Sequence, residues 1–261
     1  MALLQDGIQF HLKVTPEQVG KYVILPGDPG RVEKIAANFD DAHFVASNRE
    51  YTTWTGTLLG EKVSCVSTGI GGPSAAIAVE ELIRCGAHTF IRIGTSGGID
   101  IKVVGGDLII ANGAIRGDGT SKEYIPADYP AVPDFDVLSA LVEAAKGLST
   151  DELGNGYHVG VIQSKDSFYG EIEPEKMPVA DYLTSRWEAY VRCGCLTSEM
   201  EAATLFSVAT ARRVRAGAVL TALWNVERTK AGLPDPVCES SARAIKCAVE
   251  AIKILIEKDK K

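Results

Sequence analysis

Residues 90–98 read FIRIGTSGG, an apolar run that contains one arginine and ends in a glycine-rich turn. The apolar residues predict a buried strand, and Arg92 lies among them. Because a buried guanidinium without a partner costs several kcal/mol, we expect Arg92 to meet an anion. The turn offers backbone N–H groups and the hydroxyls of Thr95 and Ser96, a composition that suits a small oxyanion. Two interpretations stay open: an anion-binding site, or a salt bridge from Arg92 to an internal carboxylate.

A second arginine follows an apolar run at residues 22–31, which read YVILPGDPGR. Asp28 and Pro29 suit the N-cap and the first position of a helix. The helix dipole disfavours cations in the first turn, yet Arg31 occurs there. A helix N-terminus combined with a guanidinium suits a phosphate group, and a solvated arginine is the alternative.

Strand-like and helix-like runs alternate on both sides of these segments. Apolar runs predict strands at residues 21–26, 62–68, 88–94, 106–115, 158–164 and 214–224. Periodicity and terminal signals predict helices at residues 29–39, 73–86, 133–147, 198–212 and 238–257. This alternation predicts an α/β fold with a largely parallel or mixed sheet, in one domain over residues 1–261. The weakly patterned segment 165–192 is either a flap over a site or a surface excursion.

The composition restricts the classes of partner. The chain has 261 residues, is 46% hydrophobic and 23% charged, and carries a formal net charge of −7. This acidic balance argues against nucleic acid or an anionic membrane as a partner. We expect no signal peptide, and no stretch approaches the roughly 18 apolar residues of a membrane helix. The six cysteines form no CxxC pair and predict reduced thiols in a cytoplasm.

Two further segments combine turn residues with candidate ligands. STGIGGPS, residues 67–74, resembles a phosphate loop without its lysine, and a tight strand-to-helix turn is the alternative. TSEMEAATL, residues 197–205, places Glu199 and Glu201 at the start of a helix. Ser198 and Glu201 match a capping box, which the local pattern favours. The alternative is a carboxylate that accepts both hydroxyls of a vicinal diol.

Two more polar segments are less informative by themselves. In NREY, residues 48–51, Arg49 lies beside Glu50, and locally this is an exposed ion pair of little energetic value. In WNVERT, residues 224–229, Asn225 and Arg228 follow an apolar strand. Binding groups gather at such strand ends in open α/β folds.

Taken together, the segments GDPGR, SNREYTTWTG, STGIGGPSAAIAVEEL, RIGTSGG, KDSFYG and SEMEAATL, in this order, resemble the uridine phosphorylases of the hexameric nucleoside phosphorylase family. The resemblance extends from His11 to the final helix. It implies a three-layer α/β/α fold around a mixed, partly barrel-like sheet. It also implies a pentosyltransferase that reversibly converts uridine and inorganic phosphate into uracil and ribose 1-phosphate, without a cofactor. Two-subunit sites in the family imply a homohexamer, a trimer of dimers.

The resemblance also implies roles for individual residues. Catalysis would rest on Arg92, Arg31 and Glu201. The phosphate site would comprise Gly27, Arg31, Arg92, Thr95 and, from a neighbouring subunit, Arg49. The ribose site would comprise Glu199, Met200, Glu201 and, from the neighbour, His11. The base site would comprise Ser96, Gly97, Phe168 and Arg228. A structural K⁺ or Na⁺ ion, present in some relatives, would be held by Glu50, Ile70 and Ser74.

The stretch after Phe168 departs from the family pattern. It reads FYGEIEP and lacks the glutamine and arginine that read the uracil edge in the family. A carboxylate cannot donate to the oxygens of uracil, and Arg228 is the candidate replacement donor. Asn225 stands near the place of an aspartate that protonates purine N7 in purine-specific relatives, which argues against adenine nucleosides.

Three alternative functions stay open. A purine nucleoside phosphorylase would share the phosphate and ribose residues. A nucleosidase of the same fold would use water, and would not need the three arginines Arg31, Arg49 and Arg92. A non-catalytic nucleoside-binding protein is disfavoured by the presence of Glu201 together with these arginines.

Overall fold

The computed structural model describes residues 4–5, 7–148 and 156–261. Its strands, in chain order, are β1 (Leu4–Gln5), β2 (Ile8–Gln9), β3 (Tyr22–Pro26), β4 (Asp40–Asn48), β5 (Tyr51–Leu58), β6 (Glu61–Val66), β7 (Thr89–Gly98), β8 (Leu108–Gly117), β9 (Tyr157–Lys165), β10 (Thr197–Glu199) and β11 (Arg215–Asn225). Its α-helices are α1 (Val32–Ala36), α2 (Gly72–Arg84), α3 (Thr120–Tyr124), α4 (Phe135–Gly147), α5 (Phe168–Ile172), α6 (Ala180–Arg192), α7 (Ala202–Arg212), α8 (Val226–Lys230) and α9 (Ala242–Asp259). Within these residues, no helix combines the length and the apolar character needed to cross a membrane.

The strands from β3 onward form one mixed sheet, part of which closes on itself. The order is β10-β9-β8-β11-β7-β3-β6-β5-β4, and β10 also pairs with β7. The strands β10, β9, β8, β11 and β7 therefore form a closed barrel. β11 is parallel to β7 and antiparallel to β8, so the barrel mixes both kinds of pairing. The predicted mixed, partly barrel-like sheet is confirmed.

Helices cover both faces of the sheet, which explains why β7 reads as an almost continuous apolar run. Phe90 packs in one core with residues of α2 and α7, whereas Ile91 and Ile93 pack in a second core with residues of α1, α4 and α9. The three-layer arrangement is therefore confirmed. Because side chains alternate along a strand, Arg92 points to the same side as Phe90, toward α7.

The predicted elements correspond to β3, β6, β7, β8, β9 and β11 and to α1, α2, α4, α7 and α9. The hairpin of β4 and β5 was missed, because β4 is largely exposed and both strands are rich in polar residues. The helix predicted over residues 198–212 begins only at Ala202, since residues 197–199 form β10. Segment 165–192 contains α5 and α6. Helix α6 was missed although Leu183, Trp187 and Tyr190 recur at helical spacing along it.

An ion pair connects β11 to the end of α9. Arg215 donates from Nη1 and Nη2 to Asp259, at 2.9 and 2.5 Å, and the hydroxyl of Tyr22 donates to the same carboxylate at 2.7 Å. The hydrogen bond from Arg215 holds the pKa of Asp259 below its ordinary value. Burial and the bond to Asp259 raise the pKa of Tyr22 to about 12.

We expect Asp259→Asn to lower the free energy of unfolding by about 1 kcal/mol at pH 7. The ion pair of Arg215 with Asp259 is bidentate, but solvent screens it. A carboxyl whose folded-state pKa is depressed stabilises the fold above its unfolded-state pKa, and the stabilisation is lost as the pH falls through the folded-state value. Urea titrations should therefore show the difference between the two proteins shrinking below about pH 4. The exposed Glu257→Gln is the control, and a difference independent of pH would contradict the assignment.

Candidate active site

Residues at or just after the ends of β3, β7, β9, β10 and β11 line a cavity of about 650 Å³. The predicted site residues that line it are Gly27, Arg31, Glu50, Ile70, Arg92, Thr95, Ser96, Gly97, Phe168, Glu199, Met200 and Glu201. The structure thus brings the two arginine segments, the glycine-rich segments and the glutamates of residues 197–205 to one place.

Arg92 lies at the wall of this cavity between two carboxylates. Its Nε donates to Glu199 at 2.8 Å, and its Nη2 is paired with Glu201. The internal salt bridge, one of the two interpretations of Arg92, is therefore present. Among the residues that the structure describes, Nη1 of Arg92 is buried and has no hydrogen-bond partner. An anion bound beside Nη1 would satisfy this buried donor.

The strand leaves room for this guanidinium because residue 94 is glycine. A Cβ at Gly94 would lie 2.8 Å from Nη2 of Arg92. Any larger side chain would push the guanidinium away from Glu201. The prediction of a turn at residues 94–98 is wrong, because these residues continue β7 and pair with β11. This glycine-rich end of the strand positions Arg92 as well as lining the cavity.

Glu199 organises the start of α7. Its carboxylate accepts the backbone N–H groups of Glu201 and Ala202 at 2.9 and 3.0 Å, and the hydroxyl of Ser164. With the bond from Arg92, every side of this buried carboxylate is occupied. The predicted capping box of Ser198 and Glu201 is wrong, because Glu199 caps the helix instead.

Glu201 lines the cavity, and each of its two carboxylate oxygens contacts a different partner. Oε1 accepts the N–H of Gly71 at 2.6 Å, and Oε2 is paired with Arg92. Burial, together with the nearby charge of Glu199, raises the pKa of the Glu201 carboxyl above its ordinary value. The glycine-rich turn of residues 67–74 thus contacts this carboxylate through its backbone. Gly71 has a φ of +94°, which explains the need for glycine there.

The N-terminal arginine segment folds as predicted. Asp28 accepts the N–H of Gly30 at 2.8 Å and caps a short 3₁₀ turn of residues 29–31 that leads into α1. Arg31 lines the cavity, and its Nε lies 3.9 Å from the carboxylate of Asp28. Arg31 therefore adds a second cation to the cavity wall.

The remaining predicted residues lie outside this cavity wall. Arg49 is exposed at the turn between β4 and β5, with a φ of +56°. His11 binds the carboxylate of Glu81 through its backbone N–H and Nδ1. The resemblance assigns both residues to a neighbouring subunit, so these two roles stay predictions. Arg228 donates to the carbonyl oxygens of Pro234 and Ile101, and this chain does not place it at the base site.

The side-chain amide of Asn225 makes its hydrogen bonds within the protein. Its Nδ2 donates to two carbonyl oxygens, those of Asp100 and Val103, and its Oδ1 accepts the N–H groups of Glu227 and Arg228. It caps α8 and does not line the cavity. A catalytic role for this amide is therefore not supported.

The three residues predicted to hold a cation lie close together. The hydroxyl of Ser74 contacts Oε1 of Glu50 at 2.8 Å and the carbonyl oxygen of Thr68. The hydrogen bond from its own backbone N–H lowers the pKa of Glu50. In the described part of the chain, no three His, Cys, Asp or Glu side chains cluster as metal ligands. The oxygen donors that are present suit a hard monovalent cation rather than a transition metal.

Sequence reasoning missed a second buried cation at this cavity. Lys165, the last residue of β9, is 5% exposed and donates to Glu171 and to Ser198. All three residues line the cavity. The local signal was weaker than that of Arg92, because the polar residues Gln163 and Ser164 directly precede Lys165.

A family model of the phosphorylase superfamily matches residues 21–257. The chain therefore belongs to this superfamily, and the fold described above is consistent with it.

Curated proteins show which members of the superfamily are most similar. The chain is 51% identical over 251 residues to a uridine phosphorylase of Treponema pallidum (strain Nichols), which covers 96% of this chain and 95% of that protein. It is 44% identical over 257 residues to a uridine phosphorylase of Thermococcus kodakarensis, with 98% and 89% covered. It is also 41% identical over 254 residues to a guanosine phosphorylase of Halorubrum lacusprofundi, with 95% and 99% covered.

Proposed function

We propose that this protein is a nucleoside phosphorylase that converts uridine and inorganic phosphate reversibly into uracil and ribose 1-phosphate. The observation that carries the proposal is the buried Arg92 at the cavity wall, which is paired with Glu201 and whose Nη1 finds no acceptor among the described residues. Relatives named uridine phosphorylase match nearly the whole chain and support uridine as the substrate. One domain over residues 1–261 is the organisation we infer.

The chemistry follows from the charges around the cavity. Breaking the bond between C1′ of ribose and N1 of uracil leaves an electron pair on the base and positive charge on the sugar. Phosphate held by Arg92, Arg31, Gly27 and Thr95 stabilises that positive charge, and one phosphate oxygen then bonds to C1′. The uracil anion takes up, through water, the proton that hydrogen phosphate loses as the ester forms. Preorganised charges of this kind supply a large share of catalysis, and holding two substrates together supplies several kcal/mol more.

The ribose would be held by the carboxylate of Glu201. Its two oxygens can accept the 2′- and 3′-hydroxyls, with Met200 packing on the sugar. Binding of the sugar would compete with the bond from Gly71 and with the pair to Arg92. Glu199 supports this arrangement from behind, since it holds both Arg92 and the start of α7.

We further propose a homohexamer in which Arg49 and His11 complete the site of a neighbouring subunit. The exposure of Arg49 at a hairpin turn supports this role, because the turn is open to a partner. Glu50, Ile70 and Ser74 would hold K⁺ or Na⁺ at the subunit interface. A cytoplasmic location is the one we infer, with the six free cysteines as support.

A purine nucleoside is the second candidate substrate. Two observations favour it: the glutamine and arginine that read uracil in the family are absent, and one relative is named guanosine phosphorylase. The phosphate and ribose residues would serve either substrate equally.

The test is to incubate the purified protein with uridine, thymidine, inosine, guanosine or adenosine, with and without phosphate, and to quantify free base by HPLC. We expect uracil release that depends on phosphate. Release of a purine base alone would show that the second candidate is correct. Release without phosphate would indicate a nucleosidase, and ligand binding with no release would indicate a binding protein; either result would overturn the proposal.

A further inference from the structure

A buried cluster of Lys165, Glu171 and Ser198 lines the cavity on the side of Phe168. Nζ of Lys165 donates to Oε1 of Glu171 at 2.8 Å and to Oγ of Ser198 at 2.7 Å. Oγ of Ser198 in turn donates to Oε2 of Glu171 at 2.7 Å. The three groups therefore hold one another in a closed triangle of hydrogen bonds.

The cluster retains unused hydrogen-bonding capacity toward the cavity. Within the described part of the chain, these bonds occupy two of the three N–H groups of Lys165. Each oxygen of Glu171 accepts one of the bonds, which leaves a lone pair on each. A ligand in the cavity thus meets a cationic donor beside an anionic acceptor. Because the two charges cancel, the cluster adds no net charge to the empty cavity.

The position of the cluster relative to Phe168 indicates what it would meet. Nζ of Lys165 lies over the face of the Phe168 ring, 5.8 Å from its centroid. A base that occupies the part of the cavity lined by Lys165, Phe168 and Glu171 therefore lies within reach of both the ammonium and the carboxylate. Buried polar groups of this kind discriminate between ligands. A ligand that leaves them without hydrogen-bond partners binds more weakly, because their desolvation is then not compensated.

We propose that Lys165 and Glu171 together recognise the base edge, in place of the missing glutamine and arginine. Glu171 accepts a ring N–H, and Lys165 donates to the carbonyl oxygen beside it. Uracil and thymine carry such an edge at N3–H, and hypoxanthine and guanine carry one at N1–H. The substrate class is therefore a nucleoside whose base has an N–H next to a carbonyl group. This inference rests on the proposed function.

Lys165 has a second consequence for the reaction. When the glycosidic bond breaks, negative charge spreads onto the carbonyl oxygens of the base, and the ammonium lies where it can stabilise that charge. Such stabilisation is larger in the transition state than in the bound substrate, so it should appear in kcat. The need for Lys165 should decrease when the base is by itself a better leaving group.

The experiment uses the full-length protein and two modified substrates. In the wild type, 3-methyluridine lacks the N3–H, and we expect its kcat/KM to be at least about tenfold below that of uridine. In Glu171→Ala the ratio of kcat/KM for uridine to that for 3-methyluridine should fall toward one.

Lys165→Met should lower kcat for uridine at least about tenfold. The loss of kcat should be clearly smaller for 5-fluorouridine, because its base anion is more stable.

Matched controls come from the adjoining turn. Lys176 and Glu173 form an exposed ion pair at 2.8 Å and lie outside the wall of the cavity. Lys176→Met and Glu173→Gln should leave both substrate ratios unchanged. Removing one partner of a buried pair can unfold a protein, so the charge-free double variant Lys165→Met/Glu171→Leu is made as well. It should lose discrimination against 3-methyluridine while remaining folded.

The outcomes separate the two proposals. If the wild type releases no base in the presence of phosphate, the proposed function is wrong, and this inference falls with it. If the wild type is active and the variants keep the wild-type ratios, only the inference is wrong, and the cluster serves the fold. If inosine or guanosine is the substrate, the 1-methyl derivative takes the place of 3-methyluridine, with the same expected ratios.

Discussion

Replacing Arg92 by alanine is expected to lower kcat/KM for phosphorolysis at least about a hundredfold, the usual effect of removing one preorganised donor to developing charge. The physical reason is that Nη1 of this guanidinium finds no acceptor among the described residues, and that the guanidinium holds Glu201 in place. Steady-state kinetics with phosphate as the varied substrate should show the loss in both kcat and the KM for phosphate.

The same replacement is expected to destabilise the protein. Without Arg92, the carboxylates of Glu199 and Glu201 remain buried side by side, and removing one partner of a buried pair costs about 3–5 kcal/mol. Urea denaturation measures this loss, and the kinetics are corrected for the folded fraction. The matched control is Arg212→Ala, which removes an arginine from an exposed pair with Glu80. Phosphate kinetics like those of the wild type in folded Arg92→Ala would refute the assignment.

Replacing Glu201 by glutamine is expected to have a different profile, with a large loss of activity and little loss of stability. Glutamine offers one acceptor oxygen to the ribose hydroxyls instead of two, so we expect kcat/KM to fall at least about a hundredfold. Because Glu199 still neutralises Arg92, the replacement leaves no buried charge unpaired. Burial and the charge of Glu199 raise the pKa of Glu201, so its charged form is not strongly favoured by the fold.

The readout that identifies a ribose contact is the ratio of kcat/KM for uridine to that for 2′-deoxyuridine. This ratio should decrease in Glu201→Gln, because the lost acceptor no longer distinguishes the two sugars. Glu80→Gln, on the surface, is the matched control and should leave the ratio unchanged. An unchanged ratio in Glu201→Gln, with normal kcat, would show that Glu201 serves the fold alone.

Much of the fold follows from local pattern. Apolar runs predicted the central strands and the helices that cover them, because many residues along each of these elements are buried. The misses have different causes. β4 is largely exposed and leaves little apolar periodicity, whereas the helical spacing of Leu183, Trp187 and Tyr190 in α6 was present and was not used. Lys165 was missed because the predicted strand ended one residue before it.

The sequence by itself determined that Arg92 lies in a buried strand before a glycine-rich segment, that Arg31 follows a strand, and that Arg92 must meet an anion. These conclusions need only the burial cost of charge and the period of a strand. Only the tertiary structure decided which anions Arg92 meets, since Glu199 lies 107 positions further along the chain.

The tertiary structure also decided the cap of α7. Residues 197–199 join the barrel between β7 and β9, so the helix begins later than its local pattern predicts. The hydroxyl of Ser198 then binds Lys165 and Glu171, and Glu199 caps the helix in its place. The local sequence does not predict that Glu199 replaces Ser198 as the cap, because the strand pairing that causes this change joins distant parts of the chain.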